Sequence, residues 1–168
     1  MNIKTTIIIL LITLFTGCKI NYSFTGASIA PDVKTVSVKT FPNMAPLVNP
    51  LLSNKLTEEL KDKFMSQTNL QIVQSHGDLQ FEGTIIGYSI KPMNIQAGND
   101  QAAQNRLTIR VKVKFTNAVD PKLNYETTFS RYSDYTTDKN FQDVENALVE
   151  DIVKQLVTDI FNKAVVNW

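Results

Sequence analysis

Few residues of this chain have the chemistry of a reacting site, and those few are scattered. The only histidine, His76, falls in a Ser75-His76-Gly77-Asp78 turn with no second histidine at metal-ligand spacing, so it reads as a solvated turn residue. Glu58, Glu59 and Asp62, like Glu145, Glu150 and Asp151, are interleaved with lysines at helical spacing. That is the pattern of a charged helix surface, not of an acid and a base facing each other across a cleft. The chain has no Gly-Xaa-Ser-Xaa-Gly elbow, phosphate loop or dinucleotide fingerprint. No catalytic residue, metal ligand or cofactor is therefore expected, and the chain reads as a non-enzyme. Two features with chemical meaning remain. Cys18 is the only thiol and follows directly on Thr16-Gly17, and Arg106, Arg110, Lys112 and Lys114 recur along one side of an alternating segment.

The residues before Cys18 explain the thiol. Lys4 supplies a positive start, Thr5 to Phe15 a short apolar run, and Thr16-Gly17 the small residues before a cleavage point. This order resembles the lipobox of bacterial lipoproteins, in which the cysteine receives a diacylglyceryl group and becomes the first residue of the mature chain; Phe15 stands where that family usually has Leu. The apolar run is shorter than the ~20 residues a membrane-spanning helix needs, which favours a cleaved leader over an uncleaved anchor. The expected organisation is a signal peptide over 1–17, a lipidated tether over 18–31 and one domain over 32–168. Each buried acyl methylene contributes about 0.8 kcal/mol, so a multiply acylated Cys18 holds the chain permanently on a membrane. With the thiol used, no disulfide is available and stability must come from packing.

Charge excludes one class of partner. The chain has 17 basic and 16 acidic side chains, and loss of residues 1–17 removes only Lys4, which leaves the mature chain formally neutral. Bulk attraction to nucleic acid is not expected.

Periodicity supplies the elements that must position the cations. Val33 to Phe41 alternates as a half-buried strand and stops at Pro42. Asn49-Pro50 makes a helix start, and Leu52, Leu56, Leu60 and Phe64 then recur every four residues until Gln67-Thr68-Asn69. Leu70 to Val73 reads as a short strand and Leu79 to Ile90 as a longer one, with bends or bulges at Gly83 and Gly87. Pro92 to Gln104 reads as an exposed loop.

From Arg106 to Thr116 the alternation is strict, with Leu107, Ile109, Val111, Val113 and Phe115 on one side and the basic residues on the other. A turn at Asp120-Pro121 returns the chain through Leu123 to Tyr132, forming a long hairpin. Val144, Leu148, Ile152, Leu156 and Ile160, flanked by further valines, then mark a second helix whose apolar character runs on to Trp168, so the terminus is expected to dock. The fold class is α+β: a single-layer mixed or antiparallel sheet of about four strands with two helices packed on one face.

Four cations on one ribbon repel one another. Either acidic neighbours such as Glu126 and Glu82 lie across the sheet, or Arg106, Arg110, Lys112 and Lys114 meet an anionic, phosphate-bearing ligand. Tyr88, Tyr125, Tyr132 and Tyr135 are candidates to pack on a partner from the same hairpin, or else are cross-strand fillers.

From Cys18 to Trp168 the chain resembles the LptE family of outer-membrane lipoproteins. The likeness is carried by the order of several segments: Tyr22-Ser-Phe-Thr-Gly26, Lys34-Thr-Val-Ser-Val-Lys-Thr-Phe-Pro-Asn43 and Leu56-Thr-Glu-Glu-Leu60. It continues through Gly77-Asp-Leu-Gln-Phe-Glu-Gly83 with Tyr88, Asn105-Arg-Leu-Thr-Ile-Arg-Val-Lys-Val-Lys-Phe115, Phe129-Ser-Arg-Tyr132 and Asp159-Ile-Phe-Asn-Lys-Ala-Val-Val-Asn-Trp168. The resemblance implies a non-catalytic lipoprotein that plugs and helps assemble the LptD β-barrel and binds lipopolysaccharide on its way to the surface of a Gram-negative cell. Lys19 to Ser23 contains no acidic run of the kind that marks surface export, so the periplasmic face of the outer membrane is expected. A reading of another class is a generic periplasm-facing lipoprotein that binds or shuttles phospholipid for a transport complex; copurification with a large barrel separates the two.

Overall fold

The computed structural model describes residues 29–47, 49–93 and 103–165. The signal peptide, Cys18, most of the tether and the final three residues lie outside the described residues. In chain order the elements are β1 (Thr35–Val38), α1 (Leu52–Gln67), β2 (Gln71–Val73), β3 (Leu79–Met93), β4 (Gln104–Asn117), a 3-10 turn (Pro121–Leu123), β5 (Tyr125–Thr136) and α2 (Phe141–Val165). The strands form one mixed sheet in the order β2-β1-β3-β4-β5, five strands where the sequence suggests about four. β1 runs parallel to both of its neighbours, whereas β3, β4 and β5 form an antiparallel meander.

The two helices cover one face. Leu52, Leu56, Leu60 and Phe64 are fully buried along α1, which lies against β1, β2 and α2, and Ile152, Val153, Leu156 and Ile160 are fully buried along α2, which lies against β4 and β5. From the sheet, Phe81, Ile85 and the β4 series Leu107 to Phe115 point up into the same core. A row of rings runs through it: Phe161, Phe64, Phe81, Phe115 and Tyr125, with successive centroids 5.0, 5.0, 4.9 and 5.1 Å apart. These are favourable tilted and stacked aromatic separations, and they tie both helices to three strands.

Asn49 lies just ahead of α1, its side-chain oxygen accepting from the Leu51 and Leu52 amides, but the capping position falls on Leu51, which makes no side-chain cap bond, two residues later than the expected start. At the other end, the Thr68 hydroxyl and amide both donate to the Phe64 carbonyl.

Between β2 and β3 the chain crosses over β1 through only Gln74 to Asp78. A Cβ on Gly77 would lie 2.6 Å from the Ser37 amide nitrogen, so only glycine lets the strap lie this flat. His76 enters the strap with φ 56°, in the left-handed region. Asp78 locks it down: its carboxylate accepts from the Lys34 and Thr35 amides and from the Thr35 hydroxyl. The backbone bonds from Lys34 and Thr35 and the Thr35 hydroxyl hold the Asp78 pKa below the ordinary 3.8.

The hairpin arms are longer than expected. β3 continues through Pro92 to Met93, and β4 begins at Gln104, which shortens the loop read over 92–104 at both ends. Proline is tolerated there because β1 pairs only with the first residues of β3, leaving one edge of its far half without a strand that would need the missing N–H.

Candidate functional site

The open face of the sheet carries the polar side chains. β4 presents Arg106, Thr108, Arg110, Lys112 and Lys114, with β5 on one side and β3 on the other. All four predicted basic residues share this face, and the register places acids beside them. Arg106 is opposite Asp134 and grips it with two bonds, Nε to Oδ1 at 2.7 Å and Nη2 to Oδ2 at 2.8 Å. Its guanidinium also lies over the Tyr132 ring, 3.6 Å from the centroid. The Arg106 hydrogen bond holds the Asp134 pKa below its ordinary value, and Asp134 in turn raises that of Arg106.

Lys112 is ion-paired with Glu126, whose pKa is lowered first by that hydrogen bond. Lys114 lies between Glu82 and Glu126 in the register, but Glu82 is bonded instead to Lys39 of the β1 end, and Lys39 lowers its pKa. Arg110 is exposed, and its guanidinium crosses Gly87: a Cβ there would be 2.7 Å from Nε. Among the described residues, Arg110 and Lys114 have no carboxylate within ion-pair distance. The stripe is therefore half compensated: Arg106 and Lys112 have acidic partners, while Arg110 and Lys114 keep their charge available to solvent.

The tyrosines mostly go the other way. Tyr88 and Tyr135 are buried and Tyr125 is half-buried on the helix side, leaving only Tyr132, 50% exposed, on the open face. The cause is phase. The bulge between Ile85 and Gly87 shifts the alternation of β3, so Tyr88 falls opposite Ile109 and points inward; on β5 the unshifted register against β4 sets Tyr125 opposite Phe115.

One carboxylate departs from the helix-surface reading. Glu145 is half-buried and accepts from the Tyr88 hydroxyl at 2.5 Å and the Asn49 side chain at 2.8 Å. Burial and this hydrogen bond push the Tyr88 phenol well above its ordinary value. The cluster ties the starts of α1 and α2 to β3, and its role is to hold the two helices on the sheet. Glu58 and Glu150 do behave as surface charges, paired with Lys61 and with Lys154 and Lys55. His76 is exposed and, among the described residues, its ring is hydrogen-bonded to Ser75 alone. Among the described residues no cluster of His, Cys, Asp and Glu is arranged to hold a metal ion, and no helix is long and apolar enough to cross a membrane.

One sheet with two helices on a single face and a polar, solvent-facing reverse side defines a small α+β domain, and solved structures share it. A minor lipoprotein from Acinetobacter baumannii superposes with TM-score 0.50 at 15% identity, over 78% of this chain and 91% of that one. Lipoprotein B from Nitrosomonas europaea gives TM-score 0.50 at 14% identity, over 87% and 88%. A Xanthomonas campestris protein gives 0.56 at 12% identity, over 83% and 91%. At such identities the likeness is one of fold. The chain belongs to the LptE lipopolysaccharide-assembly family, whose family model matches residues 33–164. That family is one of non-enzymatic lipoproteins. No curated protein matches the chain.

Proposed function

We propose that this protein is a lipid-anchored plug and assembly partner of an LptD-like outer-membrane barrel, and that it binds lipopolysaccharide during transport to the cell surface without catalysing a reaction. The observation that carries this reading is the open sheet face, a polar surface on which the row of β4 cations is flanked by carboxylates of β3 and β5. A barrel lumen is polar, and such a face can meet it through hydrogen bonds and ion pairs. The anchor is Cys18, acylated after removal of residues 1–17, with residues 18–31 as the tether and the domain over 32–168 on the periplasmic side of the outer membrane.

Arg106, Arg110, Lys112 and Lys114 are assigned to the phosphates of lipopolysaccharide. Arg110 and Lys114 lead, because no bound carboxylate has to be displaced from them, while Arg106 and Lys112 exchange one anion for another.

Copurification from detergent-solubilised outer membrane tests the plug. A tagged chain should bring down a large β-barrel, and depletion of the chain should collapse that barrel's abundance; recovery of the chain alone with a normally built barrel overturns the reading. For the ligand, Arg110→Gln with Lys114→Gln should weaken lipopolysaccharide binding more than Arg106→Gln with Lys112→Gln. Unchanged binding in the fourfold Gln variant removes the site.

A further inference from the structure

The β4–β5 turn lies at one end of the sheet, beside the point where the chain enters the domain. Ile29, Ala30 and Val33 line a cleft together with Val119, Leu123 and, from the end of α2, Ala164. On its rim Val119 and Leu123 are large apolar side chains left 41% and 44% exposed. The turn that presents them also keeps its backbone donors to itself. The Asn117 amide donates to the Asn124 side chain, Ala118 to the Asp78 carbonyl, and Val119 and Asp120 both to the Asn117 side chain. Lys122 donates to the Asp120 carboxylate, Leu123 to the Asp120 carbonyl and Asn124 to the Pro121 carbonyl, while Pro121 has no N–H to satisfy. From 117 to 124, every amide N–H has a partner inside the protein.

An exposed turn in water has no need of this, since solvent satisfies its donors. A turn that enters a poorly hydrated region does, because each unpaired backbone group there costs free energy.

We infer that the β4–β5 turn is a membrane-contacting tip, with Val119 and Leu123 seated in the interfacial layer of the bilayer that holds the lipid anchor. The inference rests on the acylation of Cys18 proposed above. The tether fixes which bilayer this is: from Cys18 to Ile29 the chain reaches at most roughly 40 Å when fully extended. It arrives at the same cleft that the two side chains rim. The neighbouring charges are mixed, Lys34, Lys122 and Lys163 against Asp32 and Asp120, so the contact is driven by apolar burial and does not depend on lipid charge.

Once acylated, Cys18 leaves no free thiol in the chain, so an introduced cysteine takes a probe at one place. The full lipoprotein carrying an environment-sensitive nitrobenzoxadiazole label on Leu123→Cys or Val119→Cys is reconstituted on vesicles of phosphatidylethanolamine with a minority of phosphatidylglycerol, and again on phosphatidylcholine alone. Expected are a blue-shifted emission and a several-fold gain in intensity on both lipids, quenched by shallow spin-labelled lipid. The same label on Met44→Cys, an apolar residue still more open to solvent at 72% but bonded to the middle of β3, should stay water-like. Flotation of the vesicles reports the anchor separately. A chain that floats with a water-like label at 119 and 123 keeps its anchor and overturns the tip, as does a shift seen equally at Met44→Cys. A chain that does not float overturns the anchor and the tip with it. A shift that appears only when a barrel protein is added assigns the turn to a protein partner and also overturns the inference.

Discussion

The two faces of this sheet are built from the same strands yet hold together by different physics. On the helix side, alternate residues of β4 are buried to the last methyl under α1 and α2, and a row of five rings crosses from helix to sheet. On the open side, two of the intervening residues, Arg106 and Lys112, make ion pairs at the solvent-facing surface, each worth only about 0–1 kcal/mol. The first face carries the stability and the second is free to be spent on recognition. A protein that must meet a polar partner broadside gains from this separation, because the recognition face can change without unfolding the domain.

The contrast is broken most severely from inside. Phe64→Ala removes the ring that joins Phe161 to Phe81 and should cost about 3–5 kcal/mol, measured by denaturant unfolding. Glu145→Ala should cost about 1–3 kcal/mol, since it strips the Tyr88 hydroxyl and the Asn49 amide of their partner in a half-buried site. Glu145→Gln, which keeps an acceptor, should recover part of that loss. Gly77→Ala forces a Cβ against the β1 backbone and should cost roughly 1–3 kcal/mol as an overpacking defect, read as a lowered midpoint with unchanged slope.

Acid sharpens the comparison. Asp78, Asp134, Glu82 and Glu126 all have pKa values lowered by their partners in the folded chain. Their stabilisation is complete above the unfolded carboxylate values and is lost as pH falls through the depressed ones. Stability should therefore decline below about pH 4. Asp78→Asn should make that decline shallower.

At the small end, Lys112→Gln or Glu126→Gln on the open face should shift stability by no more than about 0.5 kcal/mol. A larger loss there would mean that the open face also holds the fold together.

Much of this division was legible in the residues. The strict alternation from Leu107 to Phe115 and the four-residue spacing of Leu52 to Phe64 each name a buried face without help from the rest of the chain. The parallel half of the sheet was harder to read. β1 and β2, four and three residues long, were each legible as strands, but their parallel pairing was not, because β1 meets β2 and β3 through residues more than thirty positions apart, such as Thr35 with Gln71 and Val36 with Leu79. The inward turn of Tyr88 depends on a one-residue bulge, and Gly87 marked its place without fixing its direction.

Glu145 has the same spacing as the surface acids, and only Tyr88 and Asn49, brought from elsewhere in the chain, distinguish it. On the candidate site, the sequence put all four basic residues on one face. It could not say which of them an acid would claim, because that depends on the register of β5 against β4.

The strap over β1 also dictates an order of assembly. β1 leaves the ribosome before any strand it pairs with, yet both of its neighbours and the glycine that crosses it come from residues 71–81. The first strand made thus has no sheet partner until the chain has been made through residues 71–81, whereas β4, β5 and α2 come later still.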